Sequence, residues 1–540
     1  MVAWSSVSDW ISRSQTNQHH MTNHTANLHA RLWDIANTLR GKMGADEFRD
    51  YILGFIFYKY LSEKMNSYAD ELLKPDGKLY AQLKEGTAQG DEYLKAIRGE
   101  ALDKLGYFLK PSELFGELAR RGDAGGSEQF ILDDLQEVLQ SIERSTMGTE
   151  SEDDFGNLFE DLDLTSSKLG KSENDKNSLV VKVMAHLEQI DFRLEDAESD
   201  LLGDAYEYLI GQFASNAGKK AGEFYTPQEV SSILAKIVTT GKTRLRSVYD
   251  PTCGSGSLLL RVAKEVEEVG AFYGQEMTPT TYNLCRMNLI MHGVHYKKFD
   301  IKNEDTLERP QHLDERFDAV VANPPFSANW NASDLFLSDD RFANYGRLAP
   351  KTKADFAFVQ HMLHQVADGG TVATVLPHGV LFRGSSEEHI RKHLIETENV
   401  LDAIIGLPAN IFFGTSIPTC IMVLKKGREH RDNVLFIDAS EHYEKAKNQN
   451  QLRPEDIAKI VDTYRNRVTE DKYSYVATME EIRENDYNLN IPRYVDTFEE
   501  EEPVDLAAVA SEMKALDNEM QSIDATIQGF CNELGIESPF

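Results

Sequence analysis

The tetrapeptide Asn323-Pro324-Pro325-Phe326 carries residue types suited to methylating an exocyclic base amine, and it directly follows the apolar run Phe317–Ala322. The side-chain amide and a rigid backbone carbonyl can both accept hydrogen bonds from such an amine. The phenyl ring can stack on the base. Because four residues also match by chance in a chain of 540, the motif gains meaning only if other residues form a site for a methyl donor.

A glycine loop is the second group of residues that can do chemistry. The stretch Val248–Leu259 predicts a strand, a tight loop and then a helix through Glu265. The candidate residues in the loop are Gly254, Ser255, Gly256 and Ser257. Glycine tolerates positive φ and lets a ligand approach the backbone closely. The helix N-terminus favours negative charge, here the carboxylate of a bound methionine moiety.

An acidic residue is expected at the end of the next strand, about 20 residues on, to hold ribose hydroxyls. Glu276 meets this expectation, since it lies 22 positions after Gly254. Thr278 and Pro279 then form an N-cap and first-turn pair that predicts a helix through Met291.

The glycine loop alone leaves more than one interpretation open. A phosphate-binding P-loop is excluded because no Lys-Ser or Lys-Thr follows the glycines. A dinucleotide site stays open, although Leu259 stands where a third glycine belongs, and so does a purely structural turn. Asp250 at the strand end suits a donor with an amino group better than a pyrophosphate, which favours S-adenosylmethionine.

Together the two motifs describe one reaction. Adenine N6 is a weak nucleophile because its lone pair is delocalised into the ring. If Asn323 Oδ1 and the Pro324 carbonyl each accept one N–H, the lone pair points at the methyl group, and positioning and electrostatics replace a strong base. Phe326 would stack on an adenine that has left the duplex. Asp305, after a third strand, is a candidate contact to the donor's adenine, with a plain loop carboxylate as the alternative.

An α/β domain must hold these residues in place. After Gly222, short β-branched runs alternate with helical stretches, which is typical of a doubly wound, mostly parallel sheet. The expected strands cover residues 247–250, 271–275, 319–322, 371–376, 403–406 and 419–424. Ahead of them, apolar spacings of three and four predict helices over residues 27–73 and 201–213, with breakers at residues 122–126 and 172–177.

Four parts follow from these patterns. We expect a polar extension that can be disordered over residues 1–26, a helical domain over 27–200, a catalytic domain over 201–495, and an acidic linker with a long helix over 496–540. The last helix is amphipathic from Leu506 to Ile527. It either folds back on its own domain or joins an intermolecular bundle.

Charge and cysteine content limit the possible partners and cofactors. The net charge is −32, but residues 221–430 hold 22 Lys and Arg against 25 Asp and Glu, so the flanks carry −29. A protein that grips DNA alone presents a basic face. The acidic flanks are therefore either a solvated surface or a docking site for a basic partner. Four cysteines without metal-ligand spacing argue against a metal site and favour reduced thiols. We expect no secretory signal and no membrane span.

The motifs and their order resemble the amino-group DNA methyltransferases, and more closely the methyltransferase (M) subunits of type I restriction-modification enzymes. The resemblance runs from about residue 27 to the end of the chain. Further matching blocks are Leu32–Asp34, Tyr58–Ser62, Ile405–Pro408, Phe412–Pro418 and Asn488–Tyr494. This family places a donor-contacting segment before the glycine loop, which corresponds here to Glu223, Phe224, Tyr225, Thr226, Pro227 and Gln228.

The resemblance implies a Rossmann-like S-adenosylmethionine-dependent core, an all-helical N-terminal domain and a C-terminal helical tail. It also implies methyl transfer to the N6 of a flipped-out adenine in double-stranded DNA, in a bacterial or archaeal cytoplasm. A separate specificity (S) subunit would read the sequence, typically with two M per S, and a restriction (R) subunit would join. Methylation of protein glutamine, an RNA amine or cytosine N4, and a non-catalytic donor-binding scaffold, stay open as alternatives.

Overall fold

The computed structural model describes residues 31, 32, 35, 45–123, 129–192, 201–216, 226–412, 415–446, 449–497 and 505–539. The chain divides into two compact units, Met1–Val495 and Asp496–Phe540. Among the helices in these described ranges, none combines the length and the apolar character that a membrane crossing requires.

The N-terminal part of the first unit is built from helices, as the apolar spacing predicts, and its described residues contain no strand. The helices are α1 (Ala45–Leu73), α2 (Ala88–Lys104), α3 (Phe115–Gly122), α4 (Leu132–Thr146), α5 (Glu152–Phe155), α6 (Glu173–Glu188) and α7 (Leu201–Asn216). The prediction of a loop over residues 172–177 is wrong. Ser172 accepts a hydrogen bond from the Asp175 backbone N–H and Asp175 accepts one in return, so these polar residues cap the start of α6.

The rest of the first unit alternates strands and helices. The elements are α8 (Gln228–Val238), β1 (Arg244–Asp250), α9 (Ser257–Ala263), β2 (Glu268–Glu276), α10 (Pro279–Met291), β3 (Phe299–Asn303), β4 (Phe317–Ala322), α11 (Asp355–Gln365), β5 (Val366–Pro377), α12 (Ser386–Glu396), β6 (Leu401–Gly406), β7 (Thr419–Lys425), β8 (Asn433–Asp438), β9 (Glu444–Lys445), β10 (Asn450–Gln451), α13 (Pro454–Asn466), β11 (Ser474–Thr478) and α14 (Met479–Glu484). All six expected strands lie within observed ones. The sequence pattern missed β8, β9, β10 and β11, and it gave no bounds for β3, although it placed Asp305 after a third strand.

Within the described residues, nine strands form one sheet in the order β11-β8-β6-β7-β5-β4-β1-β2-β3. The pairs β1–β2, β1–β4, β2–β3, β4–β5 and β6–β8 are parallel, so the predicted mostly parallel sheet is confirmed. β7 runs antiparallel to β5 and β6, and β11 runs antiparallel to β8. β7 reverses because the described part of residues 407–418 contains no crossover helix, which a parallel return requires.

The sheet is buried on both faces, and its strand order reverses next to β1. Successive residues of β4 pack into two different apolar cores, with Val321 on one side and Val320 on the other. β1 lies between β2 and β4, with Tyr249 paired to Tyr273 and Val320. In such sheets ligands bind beyond the carboxyl ends of the strands at the reversal point. That edge is where β1 ends at Asp250 and β4 ends before Asn323.

Helix α10 joins the sheet to the N-terminal helices. Thr280 and Asn283 donate to the two carboxylate oxygens of Asp161 at 2.6 and 3.1 Å. Arg286 is buried and donates to the carbonyl oxygens of residues 153 and 156 at 2.8 and 3.0 Å. These contacts make the helical part and the sheet one compact unit.

The second unit contains α15 (Leu506–Leu534), which confirms the predicted C-terminal helix. Asp505 caps its N-terminus by accepting hydrogen bonds from two backbone N–H groups, and Gly535 ends it in the left-handed conformation. The predicted apolar side chains are exposed along it, namely Leu506, Val509, Met513, Leu516, Met520 and Ile523.

Candidate active site

Asn323 lies where β4 stops, at the centre of the sheet. Ala322 still pairs with Thr374 of β5, and the prolines that follow Asn323 have no N–H to continue the ladder. The side chain of Asn323 is half-buried, and its buried Oδ1 accepts no hydrogen bond from any described residue. An unpaired buried acceptor costs about 1–3 kcal/mol. The fold therefore presents an acceptor that suits a ligand N–H.

Two aromatic rings meet at the end of the same tetrapeptide. Phe326 is half-buried and its ring lies edge-to-face with that of Phe412, with centroids 5.5 Å apart and planes at 85°. Phe412 comes from the loop between β6 and β7, which starts at the same edge of the sheet. The pair gives the site an apolar wall on which a planar base can pack.

The turn after Phe326 is anchored by charged groups. Ser327 has φ of +51°, and its backbone N–H donates to Oδ1 of buried Asp355 at 2.8 Å. Arg383 donates to the other oxygen of Asp355 at 3.3 Å and to Glu387 at 2.9 Å. This chain of contacts fixes the direction in which the Asn323 turn leaves the sheet.

The glycine loop after β1 has the backbone geometry that its sequence predicts. Gly254 and Gly256 have φ of +54° and +76°. A Cβ at Gly256 would lie 2.8 Å from Sγ of Cys285, so this position excludes a side chain for space as well as for conformation. The expected helix follows, but its predicted extension through Glu265 is wrong. It ends at Ala263, because the chain must turn before β2 begins at residue 268.

The two serines of the loop differ in burial, since Ser257 is half-buried. Ser255 is buried, and its carbonyl oxygen accepts a hydrogen bond from the Asn288 side chain at 2.9 Å. The hydroxyl groups of Ser255 and Ser257 are 3.0 Å apart. The hydrogen bond from Asn288 on α10 thus fixes the middle of the glycine loop.

Glu276 is the last residue of β2 and contacts the glycine loop. One carboxylate oxygen accepts the N–H of Gly254 at 3.1 Å, and the other accepts the N–H of Thr278 at 2.8 Å. Burial raises the pKa of Glu276 above its usual range. Pro279 opens α10 as predicted, but the Thr278 side chain makes no capping hydrogen bond.

Asp250, the last residue of β1, is a buried carboxyl near Glu276. It accepts the N–H of Thr252 at 2.9 Å. Burial raises the pKa of Asp250 to about 8, the Thr252 hydrogen bond opposes that rise, and Glu276 adds to it. A carboxyl pair in this state is ready to stabilise a bound cation.

Asp305 follows β3 and borders a cavity of about 620 Å³. Its Oδ1 accepts the N–H groups of Leu307 and Glu308 at 2.8 and 3.1 Å, so one oxygen already shapes a turn. The cavity lies beside the ends of β2 and β3 and is lined by Met277, Asn303, Glu304, Asp305, Glu308 and Arg309. A larger cavity of about 1550 Å³ among the N-terminal helices contains none of the predicted site residues.

Half of the segment predicted to precede the glycine loop can be placed. Glu223, Phe224 and Tyr225 lie outside the described residues. Thr226 and Pro227 lead into α8, which begins at Gln228 and packs on β4 and β5. The Pro227 carbonyl oxygen accepts the N–H of Ser231 at 2.9 Å in the first turn.

The structure thus brings the described candidates to one edge of the sheet. Asp250 and Glu276 are the last residues of β1 and β2, and Asp305 and Asn323 follow the carboxyl ends of β3 and β4. Sequence reasoning assigned no role to Phe412, Asp355 or Arg383. Phe412 stands in a matching sequence block, but its contact with Phe326 spans 86 positions and has no local signature.

The described residues fit S-adenosylmethionine. The buried Asp250 carboxyl of raised pKa suits its cationic part, the Glu276 carboxylate suits the hydroxyl groups of its ribose, and the cavity beside Asp305 has room for a flat ring. The unpaired Asn323 oxygen lies at the next strand end.

Sequence comparison decides the family. Residues 197–503 match the family model described as N-6 DNA Methylase, and residues 28–187 match the HsdM N-terminal domain. The chain belongs to the N-6 DNA methylase family. It is a methylase subunit of the type I restriction enzyme class, and S-adenosylmethionine is its methyl donor.

Relatives of this N-6 DNA methylase span nearly its whole length. The type I restriction enzyme MpnII methylase subunit of Mycoplasma pneumoniae is 35% identical, over 94% of this chain and 96% of the relative. The MjaVII methylase subunit of Methanocaldococcus jannaschii is 31% identical, over 89% and 80%. The crystal structure of a type I restriction-modification methyltransferase subunit from Streptococcus thermophilus is similar with a TM-score of 0.78 at 43% identity, over 87% of this chain and 100% of that one. The predicted fold class, enzyme class and donor are confirmed.

Proposed function

We propose that Asn323 and the carbonyl of Pro324 hold the N6 amine of adenine for methyl transfer. The observation that carries this proposal is the buried Oδ1 of Asn323, which accepts no hydrogen bond from the described residues. Two acceptors on one amine orient its lone pair toward the methyl group. Pro325 makes the turn rigid, because its ring fixes φ. Catalysis then comes from positioning and from electrostatics.

The target base packs on aromatic rings in this proposal. Phe326 stacks on the adenine, and Phe412 supports Phe326 edge-to-face. An adenine inside a duplex cannot reach a pocket at the edge of a sheet, so the nucleotide must flip out of the helix.

In this proposal the donor binds at the carboxyl ends of β1, β2 and β3, next to the point where the strand order reverses. S-adenosylmethionine supplies an electrophilic methyl group on a sulfonium. Asp250 faces its amino group, Glu276 its ribose and Asp305 its adenine, and the loop from Gly254 to Ser257 lies against its methionine part. The segment from Glu223 to Gln228 is a further donor contact in this proposal, and its described part, Thr226 to Gln228, leads into α8. The raised pKa of Asp250 supports this arrangement, because a cationic amino group beside the carboxyl stabilises its charged form.

The proposed assembly joins two of these chains to one S subunit, with an R subunit added for cleavage. Exposed apolar side chains along α15 support a helical partner, and the flanks that carry −29 of the −32 charge support a basic one. Double-stranded DNA is then gripped by the complex, in the cytoplasm of a bacterium or archaeon. We also propose the functional division into residues 1–26, 27–200, 201–495 and 496–540.

Product analysis tests the reaction. The chain and its S subunit are incubated with duplex DNA and S-adenosylmethionine labelled in the methyl group, and the nucleosides are separated. We expect label in N6-methyladenine alone. Label in N4-methylcytosine, RNA or protein glutamine would contradict the proposal, and so would a lack of any transfer by a complex that binds the donor.

DNA affinity tests the assembly. The S subunit should increase affinity by orders of magnitude, with the steep salt dependence of phosphate contacts. A chain that ends at residue 497 should lose the S subunit while keeping donor binding, and native mass spectrometry should count two chains per S. Tight DNA binding by this chain alone would contradict the proposed assembly.

A further inference from the structure

Arg341 is a buried cation in the segment between β4 and α11, with 2% of its surface exposed. It donates to the carbonyl oxygens of Thr306 and Leu307 at 3.0 and 2.8 Å. Its Nε and Nη2 donate to the two carboxylate oxygens of Asp339 at 3.0 and 2.8 Å, and Nη1 also faces Nδ1 of His361 at 3.2 Å. All five N–H groups of the guanidinium thus have a partner, a set that the three donors of lysine cannot reproduce.

The imidazole beside Arg341 extends this network to β1. Burial, and then the Arg341 charge, lower the pKa of His361 well below its usual range, so the ring is neutral. Because Nδ1 faces a donor, the proton resides on Nε2, which lies 3.0 Å from the hydroxyl oxygen of Tyr249. Tyr249 directly precedes Asp250 at the donor end of β1.

The carbonyl groups that Arg341 holds belong to the turn that begins at Asp305. The Asp305 side chain closes this turn through the N–H of Leu307. On its other side, the hydroxyl of Thr306 donates to the carbonyl oxygen of Pro251 at 2.5 Å. Pro251 opens the glycine loop, so one turn touches both parts of the donor site and Arg341 fixes its backbone.

Arg341 belongs to a segment that begins and ends beside the Asn323 turn. Its segment leaves the Asn323 turn at Ser327 and returns at Ala354, whose N–H donates to the Ala328 carbonyl oxygen at 2.9 Å next to the Ser327–Asp355 contact. Both ends of the segment are therefore tied to the catalytic turn, while its middle is tied to the donor turn.

We propose that Arg341 is a positioning residue for methyl transfer, which holds the Asp305 turn in the geometry that binds the donor and keeps it aligned with the Asn323 turn. This inference rests on the proposed roles of Asp305 and Asn323. Arg341 touches neither substrate and acts through the backbone at residues 306 and 307.

Arg341→Lys and the matched control Arg428→Lys test the proposal. Arg428 is also buried, with 5% exposed, and donates to the carbonyl oxygens of Leu401, Arg431 and Asn433. Leu401 and Asn433 begin β6 and β8, so these contacts lie at the edge of the sheet opposite the site. Calorimetric titration of the purified chain with S-adenosylhomocysteine gives Kd, thermal unfolding gives Tm, and assay of the M–S complex gives kcat and KM.

Both variants lose hydrogen bonds to carbonyl groups, so both should lower Tm. Only Arg341→Lys should raise Kd for S-adenosylhomocysteine, by about tenfold, and raise KM for the donor in parallel. Arg428→Lys should keep Kd within about twofold. A Kd that rises equally in both variants, or in neither, would overturn the proposal.

A second variant covers the case in which Arg341→Lys does not fold. Asp339→Asn keeps the guanidinium but removes the charge that orients it, from a carboxylate at the surface side of the network. We expect Kd to rise about threefold, and an unchanged Kd would count against the proposal. The titration needs neither DNA nor partner. A wild-type chain that binds the ligand but methylates no adenine would therefore overturn the proposed function and leave the Arg341 result intact.

Discussion

The donor half and the target half of this site differ in how their polar groups are satisfied. On the donor half, Glu276 accepts N–H groups of Gly254 and Thr278, and Asp250 accepts that of Thr252. On the target half, Asn323 Oδ1 is buried and accepts no hydrogen bond from the described residues. The donor half is thus held in shape by the protein itself, whereas the target half keeps one acceptor for its substrate.

This difference determines how each half of the site gains affinity for its ligand. A ligand on the donor half replaces or adds to existing hydrogen bonds, so it gains affinity chiefly through charge. A base amine on the target half pairs an acceptor that otherwise costs about 1–3 kcal/mol. The target half should therefore govern the rate of transfer, and the donor half the affinity and its dependence on pH.

Asn323→Ala should have the largest effect of the substitutions proposed here, and it should act on the target half alone. Loss of the acceptor removes one of two bonds that orient the amine, and kcat should fall by about 100- to 1000-fold. Kd for S-adenosylhomocysteine should stay unchanged, because the donor half keeps its contacts. Labelled methyl transfer by the M–S complex measures the rate. Asn331→Ala, an exposed asparagine in the following segment, is the control. Full activity of Asn323→Ala would show that the proposed role is wrong.

Phe326→Ala should weaken target binding while sparing the donor. Stacking of a base on an aromatic ring contributes about 1–3 kcal/mol, so KM for DNA should rise about 10- to 100-fold. Fluorescence of 2-aminopurine at the target position should report less flipped base. Phe130→Ala removes an exposed ring from the N-terminal helices and should change neither quantity. Equal effects of both substitutions would contradict the stacking role.

Asp250→Asn should remove a pH dependence from the donor half. In the ligand-free chain the pKa of Asp250 is raised from 3.8 to about 8. The protonated Asp250 carboxyl therefore contributes to the free energy of unfolding at low pH. This contribution is fully present below the pKa of Asp250 in the unfolded chain and is lost as pH rises through its pKa in the folded chain. A cationic donor favours the carboxylate form of Asp250. As pH rises toward 8, the wild-type Kd for the donor should therefore fall by up to about tenfold for each pH unit.

Titration at several pH values measures this slope. Asp250→Asn should leave only the weaker slope that Glu276 contributes. The control is Asp154→Asn, because burial raises the pKa of Asp154 to about 7 on the N-terminal side. That variant should change the pH profile of Tm and not that of Kd. A wild-type Kd that is flat with pH would refute the assignment of Asp250 to the amino group.

Gly256→Ala should have the smallest effect, a change in the free energy of unfolding that reports on packing of the donor loop. Gly241 has nearly the same φ, +75°, but open space where a methyl group would stand, whereas Gly256 faces Cys285. Alanine at both positions meets the same left-handed penalty. Gly256→Ala should therefore lower the free energy of unfolding by about 1 kcal/mol more than Gly241→Ala. Urea titration measures the difference, and Cys285→Ala should reduce it. Equal losses would disprove the packing argument.

Much of this architecture was predictable, because its signals are local. The runs over residues 247–250, 271–275 and 319–322 mark strands by composition, and the polar residues at or just after their ends mark the site by type. The paired strands bring them to one edge without further information. The capping error at Ser172 shows the limit of the same logic, since polar residues mark a helix start as readily as a loop.

What sequence reasoning missed depends on contacts across long separations. Arg341 reaches residue 306 and His361, and Asp355 reaches Ser327, through geometry that no spacing encodes. β8 and β11 were missed for a related reason. Each is a short run of five or six residues, and β11 mixes buried, half-buried and exposed positions without the alternation typical of a strand, so only pairing in the sheet identifies it.

The anchor of the catalytic turn also has a consequence for how the protein matures. Ser327 and Asp355 are 28 positions apart, so the turn emerges during synthesis before the residue that fixes it. The sheet pairs of β4 span longer separations, since Ala319 pairs with Val248 and Thr371. A nascent chain that stops short of Asp355 therefore carries the whole Asn323 motif but lacks the carboxylate that sets the direction of its turn.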